Sequence, residues 1–370
     1  MKPETVRLDR EGSLTRYYFL DGLRGWAALI VMILHVFFGS LPFADFGFLR
    51  MDIWWSFNGN YMVGLFFVVS GFALSISYIR NGDRSLLVRM AAGRYFRLLI
   101  PIMATCILVS LFLNAGMFPA PADRTPTYAG HYGFAPTISH LVWFSFIGVF
   151  FDFSFAETYA GPLWTMSYEL LASYALLFLL FVSPGRRWRV IAGVAISGYF
   201  LVTGSYYSLF FIGALAAEAY VVVNDRGLNN GRVVWMLGAS LLVGGYVFTR
   251  FAPASTIVLL VSVSLWFCGT MLNPAMRAFM ETPFSRFLGV ISFPLYLIHE
   301  AMIVAVGMPV YVGADSAWGR ALAGILAAAA SLALAYAGTP VNKLAIVVSR
   351  RVGNAAALLL GQGGRRREPA

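Results

Sequence analysis

The stretch YYFLDGLRGWAALIVMILHVFFG, Tyr17–Gly39, decides the fold. Its apolar run is long enough to cross the hydrocarbon of a bilayer, which takes about 20 helical residues. Yet it carries Asp21, Arg24 and His35. Ionisable side chains inside a span are costly and face a bundle interior or a wet cavity. His35 follows Arg24 by eleven residues. That is close to three helical turns, so both project from one face, about 16 Å apart along the axis. Asp21 lies three residues before Arg24 and can pair with it. Two readings fit. In one, Arg24 snorkels to the interface and His35 hydrogen-bonds a neighbouring helix. In the other, the helix presents an anion site at its inner end and a titratable base deep in the bilayer.

Composition supports a membrane chain. Of 370 residues, 59% are hydrophobic and 12% charged, with a mean hydropathy of +0.73. Soluble domains carry about 25% charged residues. Cys106 and Cys268 lie in apolar runs, without disulfide or metal-ligand spacing. The basic N-terminus followed by an apolar run resembles a signal peptide. The run is too long, however, and no small-residue cleavage site follows it, so it reads as a retained span.

Ten apolar runs qualify as spans, at roughly 18–40, 60–80, 97–116, 162–183, 188–204, 206–223, 233–250, 254–272, 287–307 and 318–340. The shorter stretch His140–Phe155, interrupted by Asp152, reads as interfacial or re-entrant. With the N-terminus inside and the spans alternating, 22 of the 27 basic residues fall on the inner side. Four fall outside (Arg50, Arg124, Arg250 and Arg320), and Arg24 stays within its span. This asymmetry predicts an N-in, C-in orientation. It also makes the net charge of +10 a topological signal rather than a nucleic-acid one. The expected architecture is an all-α polytopic membrane protein of about ten transmembrane helices. One domain covers 1–345, and a basic, partly disordered cytosolic tail covers 346–370.

Four more stretches carry polar groups where lipid would exclude them. In GRYFRLLIP, Gly93–Pro101, Arg94 and Arg97 are either inner-edge anchors or phosphate ligands. In GPLWTMSYELLASY, Gly161–Tyr174, Glu169 lies about two turns into a span, beside Trp164, Ser167 and Tyr168. A carboxylate at that depth needs a partner, and His35, an incoming sugar hydroxyl or a helix-packing hydrogen bond could supply it. In ISFPLYLIHEAMI, Ile291–Ile303, Tyr296, His299 and Glu300 fall mid-span, and His299 is either a structural hydrogen-bonder or catalytic. In FFVVSGFALS, Phe66–Ser75, Ser70 and Gly71 permit close helix approach first and pore lining second.

Taken in order, these stretches resemble the integral-membrane acyltransferase 3 family from about Tyr17 to Pro340. The family opens with a DGLRG pattern and a histidine, here Asp21-Gly22-Leu23-Arg24 and His35. FFVVSGF, the Arg94, Arg97 and Pro101 pattern, WTMSYE and ISFPLYLIHEA follow in register. Thr165 replaces a serine, Ala301 a frequent proline, and Thr339 an acid that many members place before Pro340.

The resemblance implies transfer of an acyl group, commonly acetyl, from cytosolic acyl-coenzyme A to a hydroxyl of a cell-surface or exported carbohydrate. The setting would be the bacterial inner membrane, with acyl-CoA as co-substrate and no permanently bound cofactor or metal. On this reading His35 is the general base, with Glu169 and Asp21 in the catalytic set. Arg24, Arg94 and Arg97 hold the donor's phosphates. Ser70, Trp164, Ser167, Tyr296 and His299 line the substrate path. Tyr128, His131, Tyr132, Trp143 and Tyr159 are aromatic candidates for stacking on sugar rings. A transporter or flippase of a small anionic or lipid-linked solute, and a scaffold subunit of an export complex, are the rival classes. The residues do not set the acceptor, the acyl chain length or the oligomeric state.

Overall fold

The computed structural model describes residues 16–41, 59–128, 130–227 and 231–361, and every regular element among them is helical. In chain order the main helices are α1 (Tyr18–Leu34), α2 (Gly59–Asn81), α3 (Arg84–Asn114), α4 (Ile138–Phe151), α5 (Thr165–Val182), α6 (Arg186–Val202) and α7 (Tyr207–Asp225). They continue as α8 (Arg232–Phe251), α9 (Thr256–Leu272), α10 (Pro274–Met280), α11 (Pro283–Met302), α12 (Ala317–Ala337) and α13 (Thr339–Leu359).

Each of the ten expected spans is helical. Among the described residues eight helices, with α12 and α13 taken as one, are long and apolar enough to cross a membrane, or nine if α9 and α10, bent by 92°, form one span. The shortfall from about ten is α6, which has 17 residues and opens on Arg186, Arg187 and Arg189. α4, with a π turn at Phe144–Gly148, is an apolar helix shorter than a span.

α13 runs past the expected boundary at residue 345 to Leu359 and packs along α3, so 346–359 of the expected tail is helical; 362–370 lie outside the described residues. The 31 residues of α3 span about 46 Å, well beyond a hydrocarbon core of about 30 Å. Its basic first half therefore extends past the apolar slab, and α13 accompanies it there.

Reciprocal glycines let helix backbones touch. A β-carbon on Gly71 of α2 would lie 2.0 Å from the Phe210 carbonyl oxygen of α7, and one on Gly213 of α7 would lie 2.2 Å from the Val68 oxygen. Gly25 and Gly289 do the same between α1 and α11, and Gly93 and Gly353 between α3 and α13. Close backbone approach maximises packing where lipid removes the hydrophobic drive between helices. Gly71→Ala is expected to destabilise the protein by about 3 kcal/mol or more, as overpacking against backbone does. Gly244→Ala, in open space on α8, is expected to be neutral or mildly stabilising. Melting temperatures in detergent compare them; equal values would mean that α2 and α7 are not in contact.

Candidate active site

α1, α2, α3, α5, α11 and the start of α13 surround a cavity of about 340 Å³. One end of it is polar. Arg16, Arg24, Arg94, Arg97 and Lys343 face it, with Asp21 and Glu169 as the only acids among its lining residues. Two of the cations are neutralised. Arg16 pairs with Asp21 at 2.8 Å, and Arg94 donates a short hydrogen bond to Glu169. Ser70 Oγ donates to Glu169 Oε1 at 2.6 Å and lies 3.5 Å from Arg24 Nη2, which links Arg24 loosely to the same carboxylate. Arg97 donates to Asn342 Oδ1 at 2.7 Å and lies over the Phe293 ring. The cavity thus keeps a net positive charge in a place shielded from water, where charge-assisted bonds to an anion are strong.

The opposite end closes on Tyr296. Its hydroxyl lies 3.2 Å from Thr165 Oγ1, and its ring packs against Phe66 at 5.1 Å between centroids. One turn beyond, His299 is fully buried, with Nδ1 lying 2.9 Å from the Tyr296 carbonyl oxygen and 3.1 Å from that of Leu295. His299 Nε2 lies 2.8 Å from His35 Nδ1, and the two ring planes are within 7° of parallel with centroids 5.0 Å apart, an edge-to-edge arrangement.

This geometry assigns the tautomers. Carbonyl oxygens only accept, so His299 Nδ1 carries the proton and, in the neutral ring, Nε2 is the acceptor. His35 Nδ1 must then donate to it, which leaves the lone pair on His35 Nε2. That nitrogen faces the start of α2 at Gly59, where a β-carbon would lie 3.9 Å away. Glu300 adjoins the pair, its Oε1 4.0 Å from His35 Nδ1 and its Oε2 accepting from the Gly161 N–H at 2.9 Å. Both histidine helices leave α geometry here. A π turn begins at His35, and another at Ile303 just after Glu300. Such turns gather at functional sites because they re-aim side chains.

His35, His299 and Glu300 bring ligand-type atoms within 4.8 Å of one another, a donor set that suits a divalent cation. The 2.8 Å nitrogen–nitrogen distance is that of a hydrogen bond, which holds a proton between the two rings.

Several expectations are redistributed. Arg24, Arg94 and Arg97 do meet around one cavity, joined by Ser70 and Tyr296. Glu169 does not orient His35; Arg94 and Ser70 hold it at the arginine end. Asp21 pairs with Arg16 rather than Arg24. Trp164, just before α5, and Ser167 on it are half-buried but are not among the cavity's lining residues, which that helix supplies as Thr165, Met166 and Glu169. Tyr128, Tyr132 and Tyr159 are buried and cannot stack on a sugar as they stand, whereas Trp143 is exposed. Outside the spans, burial and then Arg124 lower the pKa of His131, so its imidazole is neutral at pH 7.

Sequence reasoning placed Glu300 mid-span without giving it a role, and gave none to Asn342 or Lys343. Glu300 was visible as an acid beside a mid-span histidine. Asn342 and Lys343 follow the last apolar run, where a lysine reads as an ordinary inner-face charge.

A helical membrane bundle with a cationic cavity and a buried imidazole pair is the class that this geometry defines. A family model described as "Acyltransferase domain" matches residues 17–339. The chain belongs to this acyltransferase family, and it is a membrane acyltransferase. No curated protein and no solved structure matches it.

Proposed function

We propose that the protein moves an acyl group, most simply acetyl, from acyl-CoA to a hydroxyl of a cell-surface or exported carbohydrate. The proposed setting is the bacterial inner membrane with both termini cytosolic, as the 22 of 27 basic residues on that side favour. One observation carries the reading. On α1 a cationic cavity begins at Arg24, and eleven residues further along stands an imidazole with a tautomer-fixed free nitrogen. An anionic coenzyme held at the first leads an extended thioester arm past Tyr296 and Phe66 to the second.

Arg24 and Arg97 hold the diphosphate as charge-assisted hydrogen bonds. The acceptor hydroxyl approaches from the far side. His35 Nε2 takes its proton as the oxygen attacks the thioester carbonyl carbon. The carbon–sulfur bond breaks, and the thiolate takes the proton from the imidazolium and leaves as the free thiol. Direct attack needs no covalent enzyme intermediate. Packing of Tyr296 against Phe66 and Thr165 keeps bulk water from the thioester.

The test is purified protein in proteoliposomes with radiolabelled acetyl-CoA and a glycan acceptor. Label is expected on the glycan with stoichiometric release of thiol, and Arg24→Ala is expected to raise KM for the donor about tenfold or more, the loss of a charged hydrogen bond. Movement of a solute with the thioester intact would replace this reading with a transporter.

A further inference from the structure

The C-terminal helix belongs to the donor site. Gly93 and Gly353 press α13 against α3, the helix that carries Arg94 and Arg97. A β-carbon on either would lie within 2.5 Å of the opposite backbone, so the register between the helices is fixed. That register puts Thr339, Asn342 and Lys343, in the first turn of α13, on the cavity wall.

The two polar side chains differ in what they do. Asn342 accepts from Arg97 through a neutral amide, which aims the guanidinium without neutralising it. Arg94, by contrast, spends its charge on Glu169, and Arg16 on Asp21. Lys343 is exposed at the rim and has no carboxylate partner among the described residues. Three cations therefore remain without an acid. Arg24 and Arg97 lie inside, and Lys343 lies apart from them at the solvent edge. An inner pair suits a diphosphate. A separate flexible ammonium, a point charge with three rotatable donors, suits a second phosphate that reaches out of the cavity.

We propose that Lys343 binds the ribose phosphomonoester of the coenzyme while its diphosphate lies against Arg24 and Arg97, so that α13 selects the 3′-phosphorylated donor over the dephospho form. This rests on the acyl-transfer reading. The experiment measures KM for acetyl-CoA and for acetyl-dephospho-CoA with wild-type protein, Lys343→Ala and Lys343→Arg. Wild type is expected to favour acetyl-CoA. Lys343→Ala is expected to raise KM for acetyl-CoA about fivefold, as for a solvent-screened contact, and to shift the dephospho value by less than about twofold. Lys343→Arg is expected to keep the preference. Lys343 is exposed, so its loss does not disturb the core. An equal shift for both donors, or none, would overturn the assignment while leaving acyl transfer in place. If wild type consumes neither thioester, the acyl-transfer reading falls and this one with it.

Discussion

Replacing His35 with alanine is expected to lower acyl transfer about 10³-fold, within the range that a general base contributes, while the protein remains folded in the membrane. The size follows from the site. By the tautomer assignment, His35 Nε2 is the ring nitrogen of the pair without a proton, and it has no partner among the described residues. His299 has both ring nitrogens engaged and acts by positioning its neighbour. The two are separable by substitution. His299→Gln keeps an acceptor for the His35 Nδ1–H, so it is expected to retain more activity than His299→Ala, with the difference in kcat rather than in donor KM. Were His299 the base, His299→Ala would cost as much as His35→Ala and glutamine would rescue nothing. Thiol release from acetyl-CoA with saturating acceptor reads both, and size-exclusion profiles in detergent check folding. His35→Ala protein with near wild-type turnover would remove the base assignment.

Much of this arrangement is legible in the chain because membranes simplify the rules. Lipid forces backbone groups into helices and penalises every stray charge, so hydropathy located the ten helical segments and the awkward residues marked the site. The spacing of Arg24 and His35 held because both lie on one continuous helix, where eleven residues fix direction. Pairing between helices was less legible. Glu169 and His35 both read as buried groups in need of partners, and only packing shows that α3 brings Arg94 to Glu169 while α11 brings His299 to His35. Asp21 was misassigned because local spacing ignored Arg16, which reaches back from before the helix. α13 was missed because, although its 21 residues are as long as a span, Asn342, Lys343, Arg350 and Arg351 deny it the apolarity of one. Its signal lay in Gly353, opposite Gly93, and that correspondence is invisible along one dimension.

The second large effect concerns Glu169. Both it and Arg94 are 13% exposed at the side chain, and removing one member of so buried a pair leaves the other charged without compensation. Glu169→Met and Arg94→Met are each expected to destabilise by about 3 to 5 kcal/mol, the cost of an orphaned buried charge. The double substitution replaces both charges by apolar groups of similar length and is expected to recover most of that loss. Ser70 sharpens the comparison. Its Oγ donates to Glu169 and sits near Arg24, so Glu169→Met orphans Arg94 and also takes the acceptor from Ser70, whereas Arg94→Met leaves the Ser70–Glu169 bond in place. Glu169→Met should therefore be the more damaging single change for stability, yet it raises the positive charge of the cavity and should tighten donor binding in whatever fraction stays folded. Thermal unfolding in detergent and isothermal titration with coenzyme A measure the two effects separately. If the double variant is as unstable as the sum of the singles, Glu169 does not answer Arg94. A Glu169→Met protein that folds normally and loses only turnover would return Glu169 to the side of His35.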